Sequence, residues 1–197
     1  MKKSENTKEY ILEKIRPVFN KNGYSGTSLS AITEATGLTK GAIYGNFKNK
    51  EELALASFNY NVNFILQKIK TIMVNIKSPL VRLYALTNFY REYYLQNINF
   101  GGCPILNVGV DANHTNPKLF KRVKTVYTEL IKGITKIITD GQEYDEIKKN
   151  INAKIYSARI VSQIEGAVFT STMLKDDTYL IDMMNHLDKM IKTELQK

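Results

Sequence analysis

Three lysines and two hydrogen-bonding side chains lie close together between residues 40 and 50 of the 197-residue chain. Lys40, Lys48 and Lys50 supply positive charge, and Tyr44 and Asn46 lie between them. Ammonium and phenol groups donate hydrogen bonds to phosphate, and a side-chain amide can bond adenine bidentately through the major groove. The spacing indicates nucleic-acid binding, although lysines of this kind are also common as solvated surface charges.

The net charge of +9 is unevenly distributed along the chain. Residues 1–50 hold nine Lys or Arg against four Glu, whereas residues 51–197 hold 19 basic against 15 acidic residues. A basic end attached to a more neutral body is typical of a protein that binds a polyanion. A uniformly lysine-rich surface is the alternative explanation.

Few residues are available for catalysis. The chain has two His and one Cys, with no glycine-rich phosphate loop and no nucleophile beside a plausible base. We therefore expect neither an enzyme nor a cofactor or metal site. The single Cys103 excludes an internal disulfide and indicates a reducing compartment, so we expect a cytoplasmic protein. The apolar runs are too short for a signal peptide or a membrane span, and we expect no membrane partner.

Apolar residues recur at helical spacing along nearly the whole chain, and the alternation typical of half-buried strands is absent over any useful length. The pattern predicts an all-α protein. The predicted helices cover residues 7–21, 27–36, 40–47, 50–77, 79–94, 104–113, 117–140, 153–174 and 178–196. Only three residues separate the last two helices, which should therefore lie antiparallel.

The second and third predicted helices form a helix-turn-helix over about residues 29–48. Thr27 or Ser28 can cap the second helix, and Gly37 ends it. Thr39 caps the third helix, whose Ile43 faces the core. A three-residue turn that contains glycine joins two helices of about eight residues, which is the usual helix-turn-helix arrangement.

The motifs Thr27-Ser28-Leu29, Lys-Gly-x-Ile-Tyr over 40–44 and Phe-x-x-Lys-Glu-x-Leu over 47–53 occur in register. This region, about residues 7–55, resembles the DNA-binding domain of the TetR family of bacterial transcriptional regulators. The resemblance implies a three-helix DNA-binding domain over residues 4–64. A long fourth helix would join it to a helical effector-binding and dimerisation domain over residues 65–197.

The resemblance also implies which residues contact double-stranded DNA. The third helix would enter the major groove, where Gly41 permits close approach of the protein backbone to the DNA and Asn46 is the candidate base contact. Tyr44 would bond phosphate, although packing against the first helix is the alternative for this residue. The predicted DNA-binding residues are Ser28, Ser30, Thr39, Lys40, Gly41, Tyr44, Asn46, Lys48 and Lys50.

Proteins of this architecture bind a palindromic operator as homodimers and enclose a small effector. We expect a repressor that a hydrophobic or aromatic effector of unknown identity releases from DNA. The candidate effector-binding residues are Phe64, Phe89, Tyr90, Tyr93, Cys103, Tyr127 and Phe169, although aromatic stripes equally suit an ordinary core. The wide apolar stripe of the last helix predicts the dimer interface, with packing inside the chain as the alternative: Leu180, Met183, Met184, Leu187, Met190 and Ile191.

Two other functions remain open. Cys103 precedes a proline at a helix start, where the helix dipole can lower a thiol pKa, as in a thiol- or electrophile-responsive regulator. The alternative for Cys103 is a small buried residue. A basic protein that binds nucleic acid without sequence preference is the second possibility.

Overall fold

The computed structural model describes residues 2–94 and 100–197, and for residues 2–5 and 93 it describes the backbone alone. It confirms the predicted all-α class. The helices are α1 (Lys2–Gly26), α2 (Leu29–Thr36), α3 (Lys40–Tyr44), α4 (Lys50–Met73), α5 (Pro79–Asn88), α6 (Pro104–Thr115), α7 (Pro117–Glu143), α8 (Ala153–Leu174) and α9 (Thr178–Met190). Short π-helical segments, Phe89–Tyr94 and Ile191–Leu195, continue α5 and α9. Within the described ranges, no helix is both long and apolar enough to cross a membrane.

Side-chain caps define the starts of the helices in the helix-turn-helix region. Ser28 Oγ accepts the Ala31 N–H at 3.1 Å, and Thr39 Oγ1 accepts the Ala42 N–H at 3.2 Å. Gly37 ends α2 in the left-handed region, with φ of 68°. These bonds satisfy amide groups that have no partner within their own helix, and they confirm the predicted caps.

The third helix ends earlier than predicted, whereas the first helix ends at Gly23 as predicted. The third helix stops at Tyr44 instead of Phe47, because Gly45 follows and the Asn46 and Phe47 amides both donate to Ile43 O, at 3.0 and 3.1 Å. The first helix continues through Pro17, and its backbone leaves helical geometry at Gly23, where φ is 70° and ψ is −175°. A short turn over residues 24–26 then leads into α2.

The chain divides into two compact units. The first comprises residues 1–66 and 100–125, so α6 and the start of α7 belong with the helix-turn-helix, although the predicted boundary at residue 64 separates them from it. In this unit α6 packs against α1, and α1 against α2. The largest fully buried side chains of the unit include Ile11, Ile15, Ile32, Ile43 and Leu53. This core fixes the orientation of α3.

The second unit, residues 67–99 and 126–197, contains the last two helices. Here α9 packs against α8, α5 and the π-helical segment that follows α5. Three neighbours cover the wide apolar stripe of α9 and bury it within the protomer: Leu180, Met184, Leu187, Met190 and Ile191 are at most 6% exposed. The prediction that these five residues face a second subunit is therefore wrong. Met183, the sixth, is half-buried.

Candidate nucleic-acid interface

The first turn of α3 faces solvent. Thr39, Lys40 and Gly41 are all exposed, whereas Ile43 on the opposite side of the helix is fully buried. The buried Ile43 fixes the rotation of the helix, and exposed helix N-terminal amides beside a lysine favour an anion. This turn can therefore approach a phosphate group.

The predicted contacts from α2 lie at its start. Ser28 and Ser30 are exposed, and their hydroxyl oxygens share a hydrogen bond of 2.8 Å. Ser28 also caps α2, so its position is set by the helix itself. Both hydroxyls are available to contact phosphate or a base edge.

Asn46 differs from its predicted geometry. It follows the end of α3, is half-buried, and donates a hydrogen bond from Nδ2 to Ala42 O at 2.9 Å. A bidentate contact with adenine uses Oδ1 and one of the two Nδ2 hydrogens, so the bond to Ala42 O occupies only one of the donors of this amide. Tyr44 is also half-buried, in line with partial packing and a remaining exposed edge.

The two lysines that follow α3 have different environments. Lys48 is exposed, and its backbone N–H donates to Glu52 Oε2 at 2.8 Å. Lys50 is half-buried at the start of α4, with its Nζ 4.6 Å from the centre of the Tyr24 ring. Burial lowers the pKa of the Lys50 ammonium, and the nearby Asp111 carboxylate acts in the opposite direction. Tyr24 and Asp111 thus belong to the surroundings of a predicted phosphate contact.

Sequence reasoning missed Tyr24 and Asp111. They lie 87 residues apart in the chain, and their contact depends on the packing of α6 against α1. No local sequence motif indicates that a carboxylate will bond to the end of a helix far away in the chain, so the contact between Asp111 and Tyr24 could not be predicted from a single sequence.

The predicted effector-binding residues do not form one group. Phe64 is 38% exposed and stacks on the Arg16 guanidinium, whose carbon lies 4.4 Å from the ring centre. Phe169 is 52% exposed on α8, which corrects its assignment as a cavity residue. Cys103 is buried in the first unit, and the Tyr93 side chain lies outside the described residues.

Phe89, Tyr90 and Tyr127 belong to the second unit. The buried Phe89 and Tyr90 rings lie edge to face with their centres 5.2 Å apart, and Tyr127 is half-buried. Among the predicted residues whose side chains the structure describes, Tyr90 alone lines a small cavity of about 10 Å³. The cavity is lined by Leu86, Tyr90, Leu130, Ile134, Val161, Ile164 and Glu165. This volume holds about one water molecule, so a larger ligand requires these helices to separate.

An exposed stripe runs along the outer face of α8. Its members recur every three or four residues: Ile155, Arg159, Ser162, Gly166, Phe169 and Met173. Exposure reaches 49% at Ile155 and 64% at Met173, and an open groove of about 650 Å³ borders the stripe at its Ile155 end.

Among the side chains that the structure describes, no group of three or more His, Cys, Asp or Glu residues is placed to bind a metal ion.

A short exposed helix that begins with a lysine, packed against a second helix in a helix-turn-helix, is typical of a DNA-binding regulator. Residues 11–57 match the family described as bacterial regulatory proteins, tetR family, and residues 79–187 match the tetracyclin repressor-like C-terminal domain. The chain belongs to the TetR family of transcriptional regulators.

Known proteins resemble the chain over most or all of its length. A TetR transcriptional regulator from Chloroflexus aurantiacus is 32% identical, with a TM-score of 0.93, and the match covers 100% of this chain and 99% of that one. An uncharacterised HTH-type regulator of Lactococcus lactis is 26% identical, covering 98% and 94%. The HTH-type transcriptional repressor DhaR of a Mycobacterium species is 23% identical, covering 82% and 80%.

Proposed function

We propose that this regulator represses transcription by binding a palindromic operator as a homodimer, and that a small hydrophobic or aromatic effector releases it. The observation that carries the proposal is the exposed turn of Thr39, Lys40 and Gly41 above the buried Ile43. Similarity to a protein named as a repressor supports repression as the direction of control.

The proposed DNA contacts divide into two classes. Ser28, Ser30, Thr39, Lys40, Tyr44, Lys48 and Lys50 would contact the sugar-phosphate backbone and orient the protein. Gly41 would allow that approach, and Asn46 would read a base through Oδ1 and one of its two Nδ2 hydrogens. So few base contacts per half-site favour a dimer, which places two recognition helices about one turn of DNA apart or somewhat more.

We place the dimer interface on the outer stripe of α8. A twofold interface pairs the same surface of both copies, and this stripe has apolar residues at its ends with Arg159, Ser162 and Gly166 between them. Small residues at the middle of a helix allow a second helix to approach closely. Exposed Phe169 and Met173 would become buried on association, which removes apolar area from water.

We place the effector in the second unit, at the cavity beside Tyr90. Its lining is apolar except for Glu165, which suits a largely hydrophobic ligand. Both α5 and the adjoining π-helical segment are bonded to α9, since Thr87 of α5 and Arg91 of the π-helical segment donate to the two carboxylate oxygens of Asp188 at 2.6 and 2.7 Å. An effector that expands the cavity would therefore displace the π-helical segment, and with it α5 and α9, to which this segment is joined.

Replacing Lys50 with alanine is expected to weaken binding to every DNA duplex by about three- to tenfold and to lower the salt slope by about one. The reason is the loss of one ammonium that displaces a counterion from phosphate. Fluorescence anisotropy across a series of salt concentrations measures both quantities, with duplexes of different sequence as probes.

Lys121→Ala is the matched control, because Lys121 is an exposed lysine of the same unit outside the helix-turn-helix. Its salt slope should stay close to that of the unaltered protein. Equal behaviour of the two variants would show that only overall charge matters, and would favour a protein that binds nucleic acid without sequence preference.

A thiol-responsive regulator is the less favoured alternative. Cys103 is 8% exposed and stands directly before α6, where its side chain makes no cap hydrogen bond. Burial limits access of oxidants and electrophiles to the thiol. We expect the Cys103→Ser protein to bind and release operator DNA as the unaltered protein does, with and without peroxide; loss of a peroxide response in that variant would support the thiol mechanism.

A further inference from the structure

The end of α1 is held by two side chains of α6 that lie one helical turn apart. Asn107 donates from Nδ2 to Asn20 O at 3.0 Å. Asp111 Oδ2 accepts the backbone N–H groups of Tyr24 and Ser25 at 2.5 and 3.0 Å. A carboxylate that accepts two amide hydrogen bonds forms stronger bonds than a neutral acceptor in the same place.

A glycine at residue 23 leaves space for this carboxylate. Gly23 adopts a φ of 70°, and a Cβ at this position would lie 2.9 Å from Asp111 Cγ and Oδ2. A side chain at residue 23 would therefore collide with the carboxylate that accepts the next two amides. Thr27, fully buried, donates from Oγ1 to Gly23 O at 2.6 Å and holds the same turn from its other end.

The turn also determines the position of the Tyr24 ring. The Lys50 Nζ lies over the ring, 4.6 Å from the ring centre, which is a distance typical of a cation–π contact. Asp111 is near enough to act electrostatically on Lys50. Asp111, Tyr24 and Lys50 thus form a connected group that joins α6 to the start of α4.

We propose that Asp111 is a positioning residue for DNA binding, which holds Tyr24 in place so that the Tyr24 ring orients the Lys50 ammonium toward phosphate. The proposal rests on the function proposed above, in which Lys50 contacts DNA. Asp111, a residue of α6, would then contribute to DNA binding without contacting the DNA.

Electrostatics alone predicts the opposite effect of removing this carboxylate. A negative charge beside a phosphate-binding lysine repels DNA, so Asp111→Asn should tighten binding if repulsion were its only influence. If Asp111 positions Lys50, the same substitution should weaken binding although the protein gains a unit of positive charge. The sign of the change therefore separates the two roles.

The experiment compares four full-length proteins on one duplex: the unaltered protein, Asp111→Asn, Lys50→Ala and the double variant. The probe is a duplex that the unaltered protein enriches from a random pool. We expect Asp111→Asn to weaken binding by about three- to tenfold, and the double variant to bind as Lys50→Ala does, because coupled residues are not additive. Glu13→Gln, which neutralises an exposed carboxylate of α1, should leave binding unchanged or slightly tighter.

A second variant guards against a general loss of folding. Tyr24→Leu keeps an apolar side chain and the backbone bonds to Asp111 but removes the aromatic face, and it should weaken binding as Asp111→Asn does. Thermal unfolding and stoichiometric DNA titration verify that each protein is folded and fully active.

Binding by Asp111→Asn as tight as that of Glu13→Gln, or additive losses in the double variant, would overturn the positioning role. Normal binding by Lys50→Ala would instead remove the Lys50 contact on which the proposal rests.

Discussion

Replacing Gly166 with glutamate is expected to convert the protein to a monomer and to weaken operator binding by about a hundredfold or more, since joined half-sites gain that much from simultaneous engagement. Gly166 lies in the middle of the exposed stripe on α8, and a Cβ there meets no atom within 4 Å. The protomer therefore accommodates the new side chain. At the proposed interface a second copy would not accommodate it, because a carboxylate buried without a partner at a packed interface is strongly unfavourable.

Gly133→Glu is the matched control. Gly133 is an exposed glycine of α7 that also has open space around its Cβ, and the substitution changes the charge equally. Light scattering after size exclusion gives the mass of each variant, and anisotropy gives its DNA affinity. A Gly166→Glu protein that stays dimeric would place the interface on another surface.

Replacing Gly41 with alanine is expected to have opposite effects on stability and on DNA binding. The nearest atom to a Cβ at this position is Thr39 Oγ1 at 3.9 Å, an ordinary contact distance. Alanine favours a helix over glycine, so the free energy of unfolding should rise by up to about 1 kcal/mol. Binding should weaken by about tenfold, because the methyl group would stand between the α3 backbone and phosphate.

Gly133→Ala provides the control for this substitution, since it also replaces an exposed helical glycine. It should raise stability and leave DNA affinity unchanged. Thermal unfolding and anisotropy measure the two quantities separately. Unaltered DNA binding by Gly41→Ala would mean that the first turn of α3 does not approach the DNA backbone closely.

The helix-turn-helix could be predicted from the sequence because its determinants are local. Ser28 and Thr39 cap their helices within three residues, and Gly37 ends α2 by its own backbone conformation. Such signals need no knowledge of tertiary packing. The same reasoning missed the early end of α3, where competing bonds to Ile43 O close a tight turn.

Long-range packing accounts for the other errors. An apolar stripe such as that of α9 has the same pattern whether it packs inside the chain or against a second subunit, and here three elements of the same protomer cover it. The outer stripe of α8 includes Arg159, Ser162 and Gly166, so its apolar character is interrupted and weak in the sequence. The bonds of Asp111 to α1 likewise depend on the arrangement of helices distant in the chain.

Selection of DNA from a random duplex pool tests the central claim most directly. The unaltered protein is incubated with the pool at physiological salt and excess competitor DNA, and the bound duplexes are sequenced. A homodimer with two recognition helices should enrich an inverted repeat whose half-sites lie about one helical turn apart or somewhat more. Recovery of bulk DNA without an enriched sequence would contradict operator recognition and indicate a basic protein that binds nucleic acid without sequence preference.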